Sequence, residues 1–470
     1  MTAVVTNLTS SAASEVARLR ETFASGRTRD IAWRIRQLEG IERLLTEREP
    51  GLAAALDVDL GRDAHMAWFG DFASSKAEAV FARKNLKKWM KRKRTRLPLS
   101  MQPGRGFYQY EPLGVVLVIG PWNYPVYLTL GPIIGALAAG NVVAVKPSEH
   151  APATSQLLSQ LLPQYLDPDA VAVLEGDAGV TQDLLAQGVD MAFFTGGPEI
   201  GKKVMEAAAA HLTPVILELG GKSPVIVLDD ADLDVAARRI AMVKLLNSGQ
   251  TCIAPDYVLV QESVKEKLLA KLAETVTSFQ REEPPAQPIV NTRQFDRLTR
   301  LLSSHGGRVA LGGGTSGGGS SGGGTARPAI EPTVVVDPLP DSDLMKEEIF
   351  GPILPVMTIK SLDEAITFIN ARDKPLALYL FSSSSKARER VLAETSSGGV
   401  VVNHLAMHVL VPQLPFGGVG TSGMGAYHGE WGFQALSHRK SVLTKRAKPD
   451  PSLMYPPYTE TAKKIMRKIL

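Results

Sequence analysis

The spacing of hydrophobic positions changes once along the chain. Through residues 10–95 apolar and charged residues recur every three to four positions with few breakers, which predicts a helical region. After Gly104 the pattern turns to short β-branched runs, VVLVIG, VVAVKPS, AVAVLEG, MAFFTG, VILELGG and VIVLDD, each leading into a helical or loop stretch. Strands alternating with helices need crossover connections, so the expected fold is α/β with a doubly wound, largely parallel sheet of the Rossmann-like kind. A second alternating series follows Cys252 (YVLVQE, PTVVVD, ILPVMTI, LALYLFS, GGVVVN) and predicts a second α/β domain. Within it, GGGTSGGGSSGGG cannot bury a core and predicts a flexible loop, either natural or grafted.

One stretch could be mistaken for a membrane span, because residues 112–145 carry no charge. Its punctuation argues otherwise: a β-branched run closes at Gly120, a helical run of small residues ends at Gly140, and NVVAVK is again strand-like. Strand, helix and strand buried in a parallel sheet account for it better than one spanning helix. The N-terminus has no basic start and no long apolar core, so no secretory signal is expected and a cytoplasmic location is the default. The balance of 52 basic and 48 acidic residues implies no polyanion partner. The basic run Arg83–Arg96, without a nucleic-acid motif beside it, reads as a solvated helix face running into a loop.

Candidate chemistry begins with what is missing. The eight histidines show no HExxH or Cys/His ligand spacing, so no metal site is expected. GTSGMG around Ser422 lacks the GxSxG elbow, and no GxxxxGK[ST] phosphate loop occurs. A single cysteine, Cys252, excludes an internal disulfide. A lone cysteine is ordinarily a small buried apolar group, whereas the polar, glycine-containing NSGQTCIAPD favours a nucleophile; local sequence leaves both open. In MAFFTGGPEIGKKV the strand ends at Thr195, Gly196 and Gly197 turn, and Pro198 opens a helix whose free amides suit a phosphate. Lys146 and Glu149, past the preceding strand, are placed for ribose hydroxyls, the acid favouring NAD over NADP. Glu218 ends a strand beside Gly220 and Gly221 as a candidate general base, and Asn123 in GPWNYP is either an oxyanion donor or a turn residue.

Seven segments in order, GPWNYP, AAGNVVAVKPSE, FFTGGPEIGKKV, LELGGKSP, NSGQTC, EEIFGPILP and PFGGVGTSGMGAYHG, resemble the motifs of the aldehyde dehydrogenase superfamily. QTCIAPDY, KPLALYLFS, ETSSGGVVVN and the late YPPY resemble its class 3, which acts on medium- and long-chain aliphatic and aromatic aldehydes. The resemblance implies NAD(P)-dependent oxidation of aldehydes to carboxylic acids. Cys252 would form a hemithioacetal and then a thioester, Asn123 and the Cys252 N–H would hold the oxyanion, and Glu218 would activate the hydrolytic water. It also implies that Gly196, Gly197, Pro198, Glu199, Ile200 and Gly201 approach the pyrophosphate and Lys146 and Glu149 the adenine ribose. Glu348 and Phe350 would meet the nicotinamide ribose and ring, with NAD expected and NADP also accepted. Trp122 and Tyr124 would line the aldehyde tunnel or pack in the core.

By the same resemblance, residues 1–98, 113–220 and 422–438 form the cofactor-binding domain and 221–421 the catalytic domain. Residues 99–112 with 439–447 would form a bridging β element that pairs subunits into a homodimer, and 448–470 a C-terminal tail. FTGGP in place of a commoner FTGS and the glycine-rich 312–324 depart from the family pattern without touching the catalytic set. Two competing readings are an acylating or acyl-phosphate reductase, which Glu218 argues against, and a catalytically silent membrane-surface protein. For the latter, Ala462, Ile465, Met466 and Ile469 would share one face of a short basic helix, giving weak peripheral contact through 460–470.

Overall fold

The computed structural model describes residues 5–282, 287–317 and 327–469, with side chains left aside at 5–11, 282 and 469. Residues 1–4, residues 318–324 of the glycine-rich stretch and Leu470 therefore lie outside the described residues. The N-terminal region is helical as the spacing requires, in Val5–Ala24, Ile31–Glu47, Glu49–Leu60, Ala64–Ala67 and Ala73–Trp89. Local chemistry sets several boundaries. Asp30 and Asp63 cap their helices by accepting from the amides of Ala32 and Met66, and Gly61 ends one in the left-handed region at φ 63°.

The first sheet has six strands in the order Gly423–Met424, Val215–Glu218, Met191–Thr195, Val115–Ile119, Val142–Lys146, Val171–Val173. All neighbours are parallel except the first pair. The uncharged stretch resolves into the strand Val115–Ile119, the helix Tyr127–Ala139 and the strand Val142–Lys146, with every residue of that helix buried. Among the described residues no helix is long and apolar enough to cross a membrane. Gly140 closes the helix at φ 90°, and the place a side chain would take there is filled by the Arg34 guanidinium, 2.4 Å away. Asn141 follows, accepting from the amides of Leu113 and Gly114 and donating to the Leu436 carbonyl, so it ties the strand entry to the C-terminal part of the chain.

The second sheet has seven strands: Arg308–Leu311, Thr333–Val336, Ile353–Ile359, Tyr257–Gln261, Pro224–Val227, Ala377–Phe381 and Gly399–Val402, in that spatial order. Only the first pair is antiparallel. The run VIVLDD, which precedes Cys252 in the first alternating series, contributes Pro224–Val227 to the middle of this second sheet. Buried β-branched residues reveal a strand but not its partners, because membership depends on where the five residues after Glu218 carry the chain. Those residues, 219–223, cross from one sheet to the other.

A third sheet joins Lys93–Thr95, Gly104–Pro112 and Ser437–Lys445, all antiparallel. The basic run is thus a helix to Trp89 followed by a short strand, not a loop. The described base of the glycine-rich stretch is ordered too, since Thr315–Ser316 pairs with Ala329–Ile330. The helix Glu460–Ile469 buries Ala462 and leaves Ile465 exposed, while the Ile469 side chain is outside the description.

Candidate active site

The two parallel sheets face each other across a cleft of about 1940 Å³, into which the C-terminal strand ends and their loops project. Besides Asn123 and Cys252, which line it, thirteen predicted site residues can be placed against it, and eleven of them are in its lining. Lys146 and Glu149 line it from one strand end, and Gly196, Gly197, Pro198, Glu199 and Ile200 from the next. Glu218, Trp122, Glu348 and Phe350 line it around Asn123 and Cys252. Gly201 does not: a side chain there would meet Leu219 at 2.8 Å, so this glycine lets its helix lie close on the sheet. Tyr124 is also outside the lining. It is buried, its hydroxyl bonds Thr251 at 2.9 Å, and its ring carries the Arg62 guanidinium at 4.6 Å.

The segment that presents Cys252 is strained. Asn247, Ser248 and Gly249 take φ of 54°, 51° and 72°, three successive left-handed residues, and a side chain at Gly249 would lie 2.2 Å from the Gly351 carbonyl. Asn247 holds this turn by donating to the Asn123 carbonyl (3.1 Å) and the Gln250 carbonyl (3.0 Å). Asn123 itself is buried and donates its side-chain amide to Gln250 O at 3.1 Å, which ties the GPWNYP loop to the cysteine segment. Cys252 is half-buried. Burial, and then the nearby carboxyls of Glu348 and Glu218, push its thiol up to about 12, while the amides of Cys252 and Ile253 aimed at the sulfur oppose the shift.

Glu218 ends its strand with 3% of its surface exposed, and neither carboxylate oxygen has a hydrogen-bond partner. Burial alone raises its carboxyl well above the ordinary range, which suits a base that must exchange a proton near neutral pH. Its backbone carbonyl accepts from the amide of Gly196 at 3.0 Å, so the carboxyl and the glycine turn are fixed to each other.

The remaining cleft fits a dinucleotide. Helix Pro198–Ala209 opens into it without a side-chain cap, leaving its first amides for a phosphate, and nothing lies within 4 Å of where a side chain at Gly197 would point. Lys146 and Glu149 form an ion pair at the far side. Glu348 is half-buried against Gly220, where a side chain would lie 2.2 Å from its carboxylate, and desolvation raises it to about 8. Phe350 stands at φ 49° with its ring edge-on to Trp122, 5.5 Å between centroids. Lys222, Asp256 and Arg297 hold this segment. Lys222 pairs with Asp256 and donates to the carbonyls of Leu344 and Glu347. Asp256 accepts from the Ile349 amide, and Arg297 donates to the carbonyls of Glu348 and Ile349. Lys222 and Asp256 are charges drawn into the motif segments GGKSP and IAPD, where only an internal partner explains a charge, whereas Arg297 reaches in from the helix Thr292–Ser303, outside any motif.

The model of the aldehyde dehydrogenase family matches residues 3–442. The chain belongs to the aldehyde dehydrogenase family. Mouse aldehyde dehydrogenase family 3 member A2 is 47% identical over 95% of this chain and 92% of its own, and human family 3 member B1 is 47% identical over 94% and 93%. The mouse aldehyde dehydrogenase named dimeric and NADP-preferring is 44% identical over 95% of this chain and 98% of its own. A substrate-bound Staphylococcus aureus AldH has the same fold, with a TM-score of 0.91 and 40% identity over 97% of this chain and 99% of its own. The class 3 resemblance read from the motifs therefore holds. This aldehyde dehydrogenase is an NAD(P)-dependent oxidoreductase that converts aldehydes to acids.

Proposed function

We propose that Cys252 is the nucleophile, Asn123 an oxyanion donor and Glu218 the general base in oxidation of medium- and long-chain aliphatic or aromatic aldehydes. The observation that carries this reading is the convergence of the single thiol, a buried amide donor and an unpartnered buried carboxyl on one cleft. The Cys252 thiol first loses its proton to solvent; the thiolate sulfur then bonds the aldehyde carbon as the C=O π pair moves to oxygen, and the new oxyanion takes hydrogen bonds from the Asn123 amide and the Cys252 N–H. Such preorganised donors are worth about 3 kcal/mol each. Bound NAD(P)+ supplies the hydride acceptor, and loss of hydride from the substrate carbon leaves an acyl group on Cys252. Glu218 then takes a proton from water as its oxygen attacks the acyl carbon; the C–S bond breaks, and acid and thiolate separate.

Gly196 to Ile200 would hold the pyrophosphate, Lys146 and Glu149 the adenine ribose, and Glu348 with Phe350 the nicotinamide end. Trp122, Leu128 and Phe350, which line the cleft along with Asn123 and Cys252, support an apolar substrate chain. A homodimer is supported by Ser437–Lys445, a nine-residue strand at an open sheet edge with Leu443 exposed, and by the relative named dimeric. Decanal or benzaldehyde with NAD should yield NADH steadily without coenzyme A or phosphate; a requirement for either acceptor would replace this reading with an acyl-transferring reductase.

A further inference from the structure

We propose that Arg62 and Asp71 are positioning residues for Asn123, holding the oxyanion donor in register with Cys252. This rests on the reading of Asn123 given above and extends it to two residues outside the recognised motifs. The chain reaches the site by an unusual route. Helix Glu49–Leu60 ends at Gly61 in the left-handed region, and the next side chain, Arg62, turns inward with 1% of its surface exposed. Asp71, fully buried, lies in the wide π-type turn Trp68–Phe72, a geometry that recurs at functional sites.

The two side chains divide the residues around Asn123 between them. Arg62 pairs with Asp71 through one guanidinium nitrogen and donates to the Asn123 carbonyl at 2.6 Å through the other. Asp71 accepts from the amides of Val126 (3.1 Å) and Tyr127 (2.9 Å), so the pair grips both ends of the turn 123–127. The Arg62 plane also lies on the Tyr124 ring, whose hydroxyl bonds Thr251 beside the nucleophile. Burying a full ion pair is expensive, and well-packed apolar residues ordinarily fill such a space at no loss of stability. A pair that makes directed bonds to the backbone on either side of Asn123 is accounted for by the placement it imposes on that amide.

A double-mutant cycle tests this, with kcat and KM for decanal, the Kd for NAD, and thermal unfolding followed for each variant. Arg62→Lys keeps a charge for Asp71 but cannot make both bonds. It should lower kcat by about tenfold or more while KM and Kd change by less than about twofold, and in the Asn123→Ala background it should change kcat by less than about twofold. Should Arg62→Lys not fold, Asp71→Asn, which keeps an acceptor for Val126 and Tyr127, carries the same cycle. Equal losses in both backgrounds, or no loss in either, would overturn the role of the pair. If Asn123→Ala itself keeps full kcat, the oxyanion reading falls as well, which separates the two failures.

Discussion

At the scale of single residues, the proposed chemistry draws on two acids whose protons burial holds more tightly than water does. Burial raises both the Cys252 thiol and the Glu218 carboxyl, so each is protonated further up the pH scale than in water. Because catalysis needs both deprotonated, kcat/KM should fall as pH is lowered, on a limb well above the ordinary carboxylate range. A profile from about pH 6 to about pH 10 tests this, and a limb near pH 4 to 5 would contradict it. The Glu218 carboxyl also helps hold the thiol up, so Glu218→Gln should move the pH profile of Cys252 alkylation by iodoacetamide downward. Cys252→Ala should cut turnover by at least about 10⁴-fold with NAD binding retained, checked by fluorescence titration. In the sequence Glu218 stood out as a carboxylate at a strand end, whereas local sequence left Cys252 open between a nucleophile and a small buried group, and only the family resemblance proposed a role for it. The orphaned state of the Glu218 oxygens was not legible, since an unmade hydrogen bond leaves no pattern in the chain.

At the scale of elements, turns do the placing. The three left-handed residues ahead of Cys252 leave no room for a larger Gly249, so Gly249→Ala should destabilise the protein by more than ~1 kcal/mol, seen as a lower Tm. Gly220→Ala would displace the Glu348 carboxylate and should lower kcat/KM by about 10- to 100-fold in steady-state kinetics; because that carboxyl also helps hold the thiol up, the pH profile of Cys252 alkylation should shift with it. Strand and helix periods carried most elements, but not the sheet to which Pro224–Val227 belongs, nor the two-residue strand Gly423–Met424 beside Glu218. Both depend on a crossover or a pairing set by distant residues. Lys222, Asp256 and Arg297 escaped for a related reason: each acts on backbone carbonyls or amides that lie dozens of residues away in sequence.

At the scale of the molecule, one cleft between two largely parallel sheets gathers Cys252 from one and Glu218 from the other. The chain changes sheets directly after Glu218, so the proposed base sits where the two halves meet. The third sheet joins the neighbouring segments Lys93–Thr95 and Gly104–Pro112 to Ser437–Lys445, more than three hundred residues later, and it ends in an open edge strand. If that edge pairs subunits, Leu443→Asp should convert the dimer to monomer in sedimentation velocity, while an unchanged dimer would place the interface elsewhere.

The division of labour between Cys252 and Glu218 is tested most directly by trapping the acyl enzyme. Glu218→Gln mixed with decanal and NAD should give one burst of NADH per active site and then stall, and mass spectrometry should find a decanoyl group on the peptide bearing Cys252. Sustained turnover by that variant, or a burst without acylated Cys252, would contradict the account.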